Sequence, residues 1–154
     1  MRPVFLLSSA LLLFAPRVVS QMKEKPDLTG TWELDVQRSR LPKAADVHSE
    51  TLVVKSSDNA LEIRYRFDGR EHIETYTVDG KERTTPVQGG GELVTKASWK
   101  GRVLIIERGA RLRIPLGGDI IWNKDRWKIS PDGQSLVVEH DNARNFSFYE
   151  KRAF

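Results

Sequence analysis

From Gly30 onward, apolar and polar residues alternate with a period of two. Leu61, Ile63, Tyr65 and Phe67 fall on one side of a run, and Glu62, Arg64 and Arg66 fall on the other. Successive side chains of a strand point to opposite faces, so this pattern marks a strand with one dry and one wet face. Leu93, Thr95, Ala97 and Trp99 oppose Val94, Lys96 and Ser98 in the same way. Phe146 and Phe148 alternate with Asn145, Ser147 and Tyr149 near the end of the chain. Asp58-Asn59, Asp68-Gly69, Asp79-Gly80, Lys100-Gly101, Asp132-Gly133 and Asp141-Asn142 separate the runs at short, even intervals. Asn and Gly tolerate the positive φ of two-residue hairpin turns, and Asp is favoured there too. The pattern predicts strands at 30–36, 50–56, 60–67, 71–78, 82–87, 92–98, 102–108, 120–129, 134–140 and 144–151. No segment carries a long helical period, so no helix is available to cover the dry face. Consecutive strands must then bury it by curling up, which also removes exposed edges. The expected fold is all-β: a single closed, antiparallel up-and-down β-barrel of about eight to ten strands. A sandwich, the rival architecture, requires longer crossovers than this chain offers.

Two connections exceed a turn. Residues 37–49 have room for a short helix or a loop across one mouth, and residues 109–119 form a Gly- and Pro-containing loop flanked by arginines. The start of the chain has a different texture. Arg2 precedes an apolar run from Val4 to Ala15, Pro16 breaks it, and Val18 and Ser20 are small residues placed before Gln21. That is the order of a secretory signal peptide, and the run is shorter than the ~20 apolar residues of a membrane span. The expected organisation is a signal peptide at 1–20, a flexible leader at 21–28 and a barrel domain at 29–154. With no cysteine in the chain, disulfides and lipid attachment to a cysteine are excluded. An exported domain of this size without disulfides fits a bacterial periplasmic or secreted setting. The net charge of +4 falls to +2 once Arg2 and Arg17 leave with the signal, too little to draw nucleic acid or an acidic membrane. No stable membrane insertion is expected after cleavage.

The segment Asp27-Leu28-Thr29-Gly30-Thr31-Trp32-Glu33-Leu34-Asp35 resembles the Gly-X-Trp opening motif of lipocalins and the wider calycin group. The resemblance implies that Gly30 admits the chain to the first strand and that Trp32 plugs the closed barrel end. It also implies that Arg152 packs across the indole ring. Together with Trp127-Lys128-Ile129-Ser130-Pro131-Asp132-Gly133, the same stretch looks like a group of exported bacterial lipocalin-like proteins of unknown function. The chain departs from lipocalins in lacking a helix after the last strands. Ten strands resemble the fatty-acid-binding branch, yet 37–49 is too short for that branch's helix pair.

Candidate binding residues follow from alternation. Tyr65, Phe67, Trp99 and Trp127 are the large aromatics expected to face inward, as pocket wall or as plain core. The run 71–78 mixes polarity on both faces: Ile73, Thr75 and Thr77 against His72, Glu74 and Tyr76. Thr75 is taken as a wall residue of a polar-lined cavity. Arg108, Arg111 and Arg113 flank a loop where guanidinium groups can hold a carboxylate or phosphate, or can simply be solvated. The histidines His48, His72 and His140 are dispersed, so no metal site is expected. Neither a nucleophile elbow nor a phosphate-cradling loop occurs, so neither catalysis nor a cofactor is expected. Arg64-Tyr65-Arg66-Phe67 puts bases and aromatics on opposite faces, which rules out a nucleic-acid platform. The expected role is that of an exported, non-enzymatic barrel binding a small apolar or amphipathic molecule. The alternative is a protein-interaction or inhibitor domain whose barrel is filled by side chains.

Overall fold

The computed structural model describes residues 25–42, 47–88, 90–111, 120–141 and 144–153. Ten strands follow one another: β1 (Gly30–Leu34), β2 (Thr51–Ser56), β3 (Ala60–Phe67), β4 (Arg70–Thr77), β5 (Arg83–Pro86), β6 (Glu92–Lys100), β7 (Val103–Arg111), β8 (Ile121–Ile129), β9 (Ser135–His140) and β10 (Asn145–Lys151). They form one antiparallel sheet in the order β4-β3-β2-β1-β10-β9-β8-β7-β6-β5. All ten predicted strands are present, with bounds shifted by at most a few residues. The β3–β4 connection shows why the turns were legible. Phe67 pairs with Arg70, and Asp68 (φ 47) and Gly69 (φ 71) both take the positive φ that this tight turn requires.

The sheet curls into a half-barrel and does not close by hydrogen bonds. Strands β4 and β5 are its two edges, with no ladder between them. The reason lies in β5. It has four residues, all exposed, and ends in Pro86, which has no N–H to donate. At one level the arc is bridged all the same, because the Gly80 N–H donates to the Ala97 carbonyl at 2.9 Å. Closure is thus a short strap past the end of β4, where the sequence predicts a full ring.

Inner positions change character along each strand. Leu104, Ile106 and then Arg108 face inward on β7, and Leu136, Val138 and then His140 do so on β9. The apolar ends converge on Trp32 and Leu28, both fully buried, and make the core of one barrel end. Burial alone stabilises this end, at roughly 1.5–3 kcal/mol for each large apolar side chain. The Trp32 indole N–H donates to the Leu28 carbonyl at 3.0 Å, so the plug carries no unmet polar group. Leu28, assigned to the leader by the sequence, is therefore part of this packing.

Arg152 is not the residue across the plug. Trp32 and Lys151 are direct cross-strand partners, and the Lys151 ammonium lies 5.2 Å from the indole ring centre. One residue later the side chain points the other way, and Arg152 instead pairs with Glu33 at 3.0 Å in solvent. Gly30 matters for the same geometry. Its φ of 148 disfavours any other residue, and a Cβ there would meet Lys151 Cε at 2.7 Å.

Candidate functional site

At the other end the inner positions turn polar, and a cavity of about 780 Å³ opens among them. Its apolar wall includes Leu41, Val47, Phe67, Trp127 and Val138. Its polar wall includes Glu74 of β4, Arg108 of β7 and Asp125 of β8, together with His140 of β9 and Ser147 of β10, and Arg70 and Glu71 of β4 also line the cavity. Register explains the grouping. Asp125 is paired with Ile106 of β7 and His140 of β9, and Val138, two residues before His140, is paired with Ser147.

Arg108 is the centre of this network. Its Nε donates to the Tyr76 hydroxyl at 2.7 Å, Nη1 to Asp125 at 2.6 Å, and Nη2 to the Tyr65 hydroxyl at 3.2 Å. Nη2 also lies 3.3 Å from Glu74. Both tyrosine hydroxyls pass a proton donor onward to the same Glu74 oxygen. Glu74 Oε1 faces His72 at 3.3 Å. Two carboxylates therefore flank one guanidinium, and the tyrosines tie the three together across the gap between β4 and β7.

Beside it runs a second chain of contacts. His140 Nδ1 lies 2.8 Å from Asp125 Oδ1, and His140 Nε2 lies 3.1 Å from Ser147 Oγ. The tautomer with its proton on Nδ1 satisfies both, donating to Asp125 and accepting from the Ser147 hydroxyl. On the same strand as Ser147, the Tyr149 hydroxyl donates to Glu50 at 2.6 Å.

The electrostatics follow from burial and pairing. Burial pushes the hydroxyls of Tyr65, Tyr76 and Tyr149 well above the usual tyrosine range, the carboxylates beside them adding to it, so all three stay neutral. Burial alone would raise the Asp125 carboxyl. The His140 hydrogen bond and the Arg108 charge more than offset this and hold it below its ordinary value. Burial opposes the Arg108 charge as well, but the surrounding tyrosines and carboxylates keep it firmly protonated.

The residues expected at the site divide clearly. Tyr65, Phe67 and Trp127 come together in the cavity wall. Trp99 does not: it packs against the core at the plugged end, beside a hollow shared with Pro26, Asp27 and Ser57. Thr75 is exposed on the outer face, because Glu74 and Tyr76 take the inner positions of β4. Arg111 is exposed and pairs with Glu92 at 2.9 Å, one position out of phase with the inward Arg108. Arg113 lies outside the described residues. Glu74, Asp125, His140 and Ser147 were not singled out as site residues, and a signal for the first three existed. Asp125 and His140 are polar residues on a parity that carries apolar side chains elsewhere in the same strand, and Glu74 shares its parity with Tyr76. Ser147 gave no such signal, because the phenylalanines of β10 stand on the other parity and the structure turns Ser147 and Tyr149 inward.

No family model matches the sequence, and no curated protein matches it. Among solved structures, a protein described as the REP1-NXSQ fatty acid transporter superposes with a TM-score of 0.57 at 16% identity, covering 83% of this chain and 98% of its own. A tyrosine-to-phenylalanine mutant of that transporter superposes with a TM-score of 0.56 at 14% identity, covering 82% and 98%. The chain shares with them the fold, a curled antiparallel half-barrel.

Proposed function

We propose that this chain is an exported protein that binds a lipid-like small molecule in the cavity at its open end, as a carrier rather than a catalyst. The observation that carries the reading is the cavity itself. It has one apolar wall, and a polar wall whose groups already satisfy one another, so an amphiphile can enter without stranding a buried charge. The name of the structural neighbours, fatty acid transporters, supports the same class of ligand. Export rests on the signal-like residues 1–20, and the bacterial lipocalin-like assignment rests on the Gly30-Thr31-Trp32 resemblance. An open cavity favours this reading over a side-chain-filled barrel working through its outer face. The test is organic extraction of the protein purified from its host, followed by mass spectrometry, with uptake of a fluorescent alkyl-chain probe measured on the emptied protein. A lipid-like molecule near one equivalent, and probe uptake weakened in Phe67→Ala, are expected. An empty extract together with no uptake refutes the reading.

One observation favours a second reading. Asp125, His140 and Ser147 stand in the order of a hydrolytic relay, which is recognised by geometry and not by sequence position. In that case the Ser147 hydroxyl attacks an ester carbonyl while His140 takes its proton and returns it to the leaving alcohol; water then releases the acid from Ser147. Against it, Arg108 donates to Tyr65, Tyr76 and Asp125, the Tyr149 hydroxyl donates to Glu50, and the Trp127 indole N–H is closed off from the open space. Turnover of a p-nitrophenyl alkanoate that vanishes in Ser147→Ala, with probe binding intact, would replace the carrier reading.

A further inference from the structure

A guanidinium at the bottom of an apolar cavity is the usual partner for an ionised carboxylate, because its donor fork matches the two oxygens. Arg108 is not available in that way. Contacts to Tyr76, Asp125, Tyr65 and Glu74 occupy Nε and both Nη groups, and two carboxylates already stand against its single charge. A fatty-acid anion held by two bonds would have to displace a carboxylate or the tyrosine hydroxyls from Arg108. A displaced carboxylate would then lose its counter-charge and keep only its other hydrogen bonds, to His140 for Asp125 or to the two tyrosine hydroxyls for Glu74. An anion lying alongside without displacing either would meet a site whose charge is on balance negative. A cationic head fares no better, since it must shed its water against Arg108 and Arg70 while both inner carboxylates are already engaged.

The wall does keep spare capacity of one kind: carboxylate lone pairs of Glu74 and Asp125, which accept only. Among the described residues, Trp127 Nε1 is the buried side-chain polar atom without a hydrogen-bond partner, but it is closed off from the open space and offers the ligand no donor.

Resting on the lipid-binding reading, we propose that the cavity selects an uncharged, oxygen-bearing head, of the class of long-chain alcohols, and rejects the fatty-acid anion. A hydroxyl donates to the carboxylate lone pairs, brings no charge of its own, and leaves the contacts of Arg108 with Glu74 and Asp125 undisturbed.

The experiment compares three ligands of equal chain length below their aggregation limits: dodecan-1-ol, dodecanoate and dodecylammonium. Affinities for the full chain are measured by titration calorimetry at neutral to slightly alkaline pH. Dodecan-1-ol is expected to bind at least tenfold more tightly than dodecanoate. Freeing Arg108 should invert the order: in Glu74→Gln/Asp125→Asn, shown folded by circular dichroism, dodecanoate gains tenfold or more over the alcohol. Glu74→Gln alone, at the more exposed of the two carboxylates, should move the ratio in the same direction and serves if the double variant does not fold. Tightest binding of dodecanoate or dodecylammonium by the unaltered protein overturns the head-group assignment and leaves the lipid reading standing. Failure of all three to bind removes both.

Discussion

Trp32 and Arg108 hold opposite ends of the half-barrel, one by burial and the other by charge. Trp32 is fully buried with its N–H satisfied, so Trp32→Ala removes a large packed ring and strands the Leu28 carbonyl. A loss of ~3–5 kcal/mol in urea unfolding is expected, the range of large-to-small core changes. Arg152→Ala, by contrast, should stay within about 0.5 kcal/mol, because its partner Glu33 is in solvent. Arg108→Met leaves Glu74 and Asp125 without their shared counter-charge. Breaking a fully buried pair costs ~3–5 kcal/mol; Arg108 is partly open to the cavity, so about 2–3 kcal/mol is expected by the same measurement. The plug was legible because Gly-X-Trp is a local motif. Its partner was misplaced by one residue because the choice between Lys151 and Arg152 is set by the β1–β10 register, which no local pattern encodes.

At the level of elements, alternation together with the turn residues located the strands, although β5 has no dry side and β6 buries Val94 and Ala97 on opposite parities. The same parity misled where it was ambiguous. On β4 both faces read as mixed, and only packing against Arg108 selects Glu74 and Tyr76 for the inside over Thr75. Trp99 obeys parity and does face the interior, yet level along the strand is invisible in a period of two, and it lies at the plugged end. The network of Asp125, His140 and Ser147 joins three strands, so it becomes visible only once their register is known. The edges differ too. Strand β5 is short, exposed and unpaired on one side, whereas β8 and β9 lie mid-sheet. Amide hydrogen exchange should therefore be fast across Arg83–Thr85 and slow at Trp127 and Val138. Equal protection along β5 and β9 would show that the gap is closed in solution.

For the whole molecule, the polar end sets limits on pH. The Asp125 carboxyl is held below its ordinary value of 3.8, so its contribution is complete above that value and is lost as the pH falls through the lower, folded one. The stability gap between the unaltered protein and Asp125→Asn should shrink steadily as the pH drops below about 4. On the alkaline side the chain has three tyrosines, and all three are held neutral by burial. Their folded pKa values exceed the unfolded value of 10.0, so the stability they contribute is present below pH 10 and is lost as the pH rises further. Phenolate absorbance should then appear together with unfolding, in one step. Its appearance in a protein still folded by circular dichroism would mean that the tyrosines are wet.

The sheet order has a last consequence. Because β1 and β10 are neighbours in its middle, the Arg152 N–H bonds to the Thr31 carbonyl at 2.9 Å, and the two ends of the domain lie side by side. The natural chain thus starts in the middle of its own sheet, walks to one rim, jumps to the other and walks back. Joining residue 152 to residue 28 by a short linker and opening the chain near Lys81 would rearrange this into a single uninterrupted walk from rim to rim. Every strand would then follow its spatial neighbour, and the one crossing of the gap would vanish from the covalent path. A chain rewired in this way keeps both the plug and the polar end. What it loses is the tether between the two rims, so how far the rims drift apart when the protein is rewired measures how much of the barrel's curvature that tether supplies.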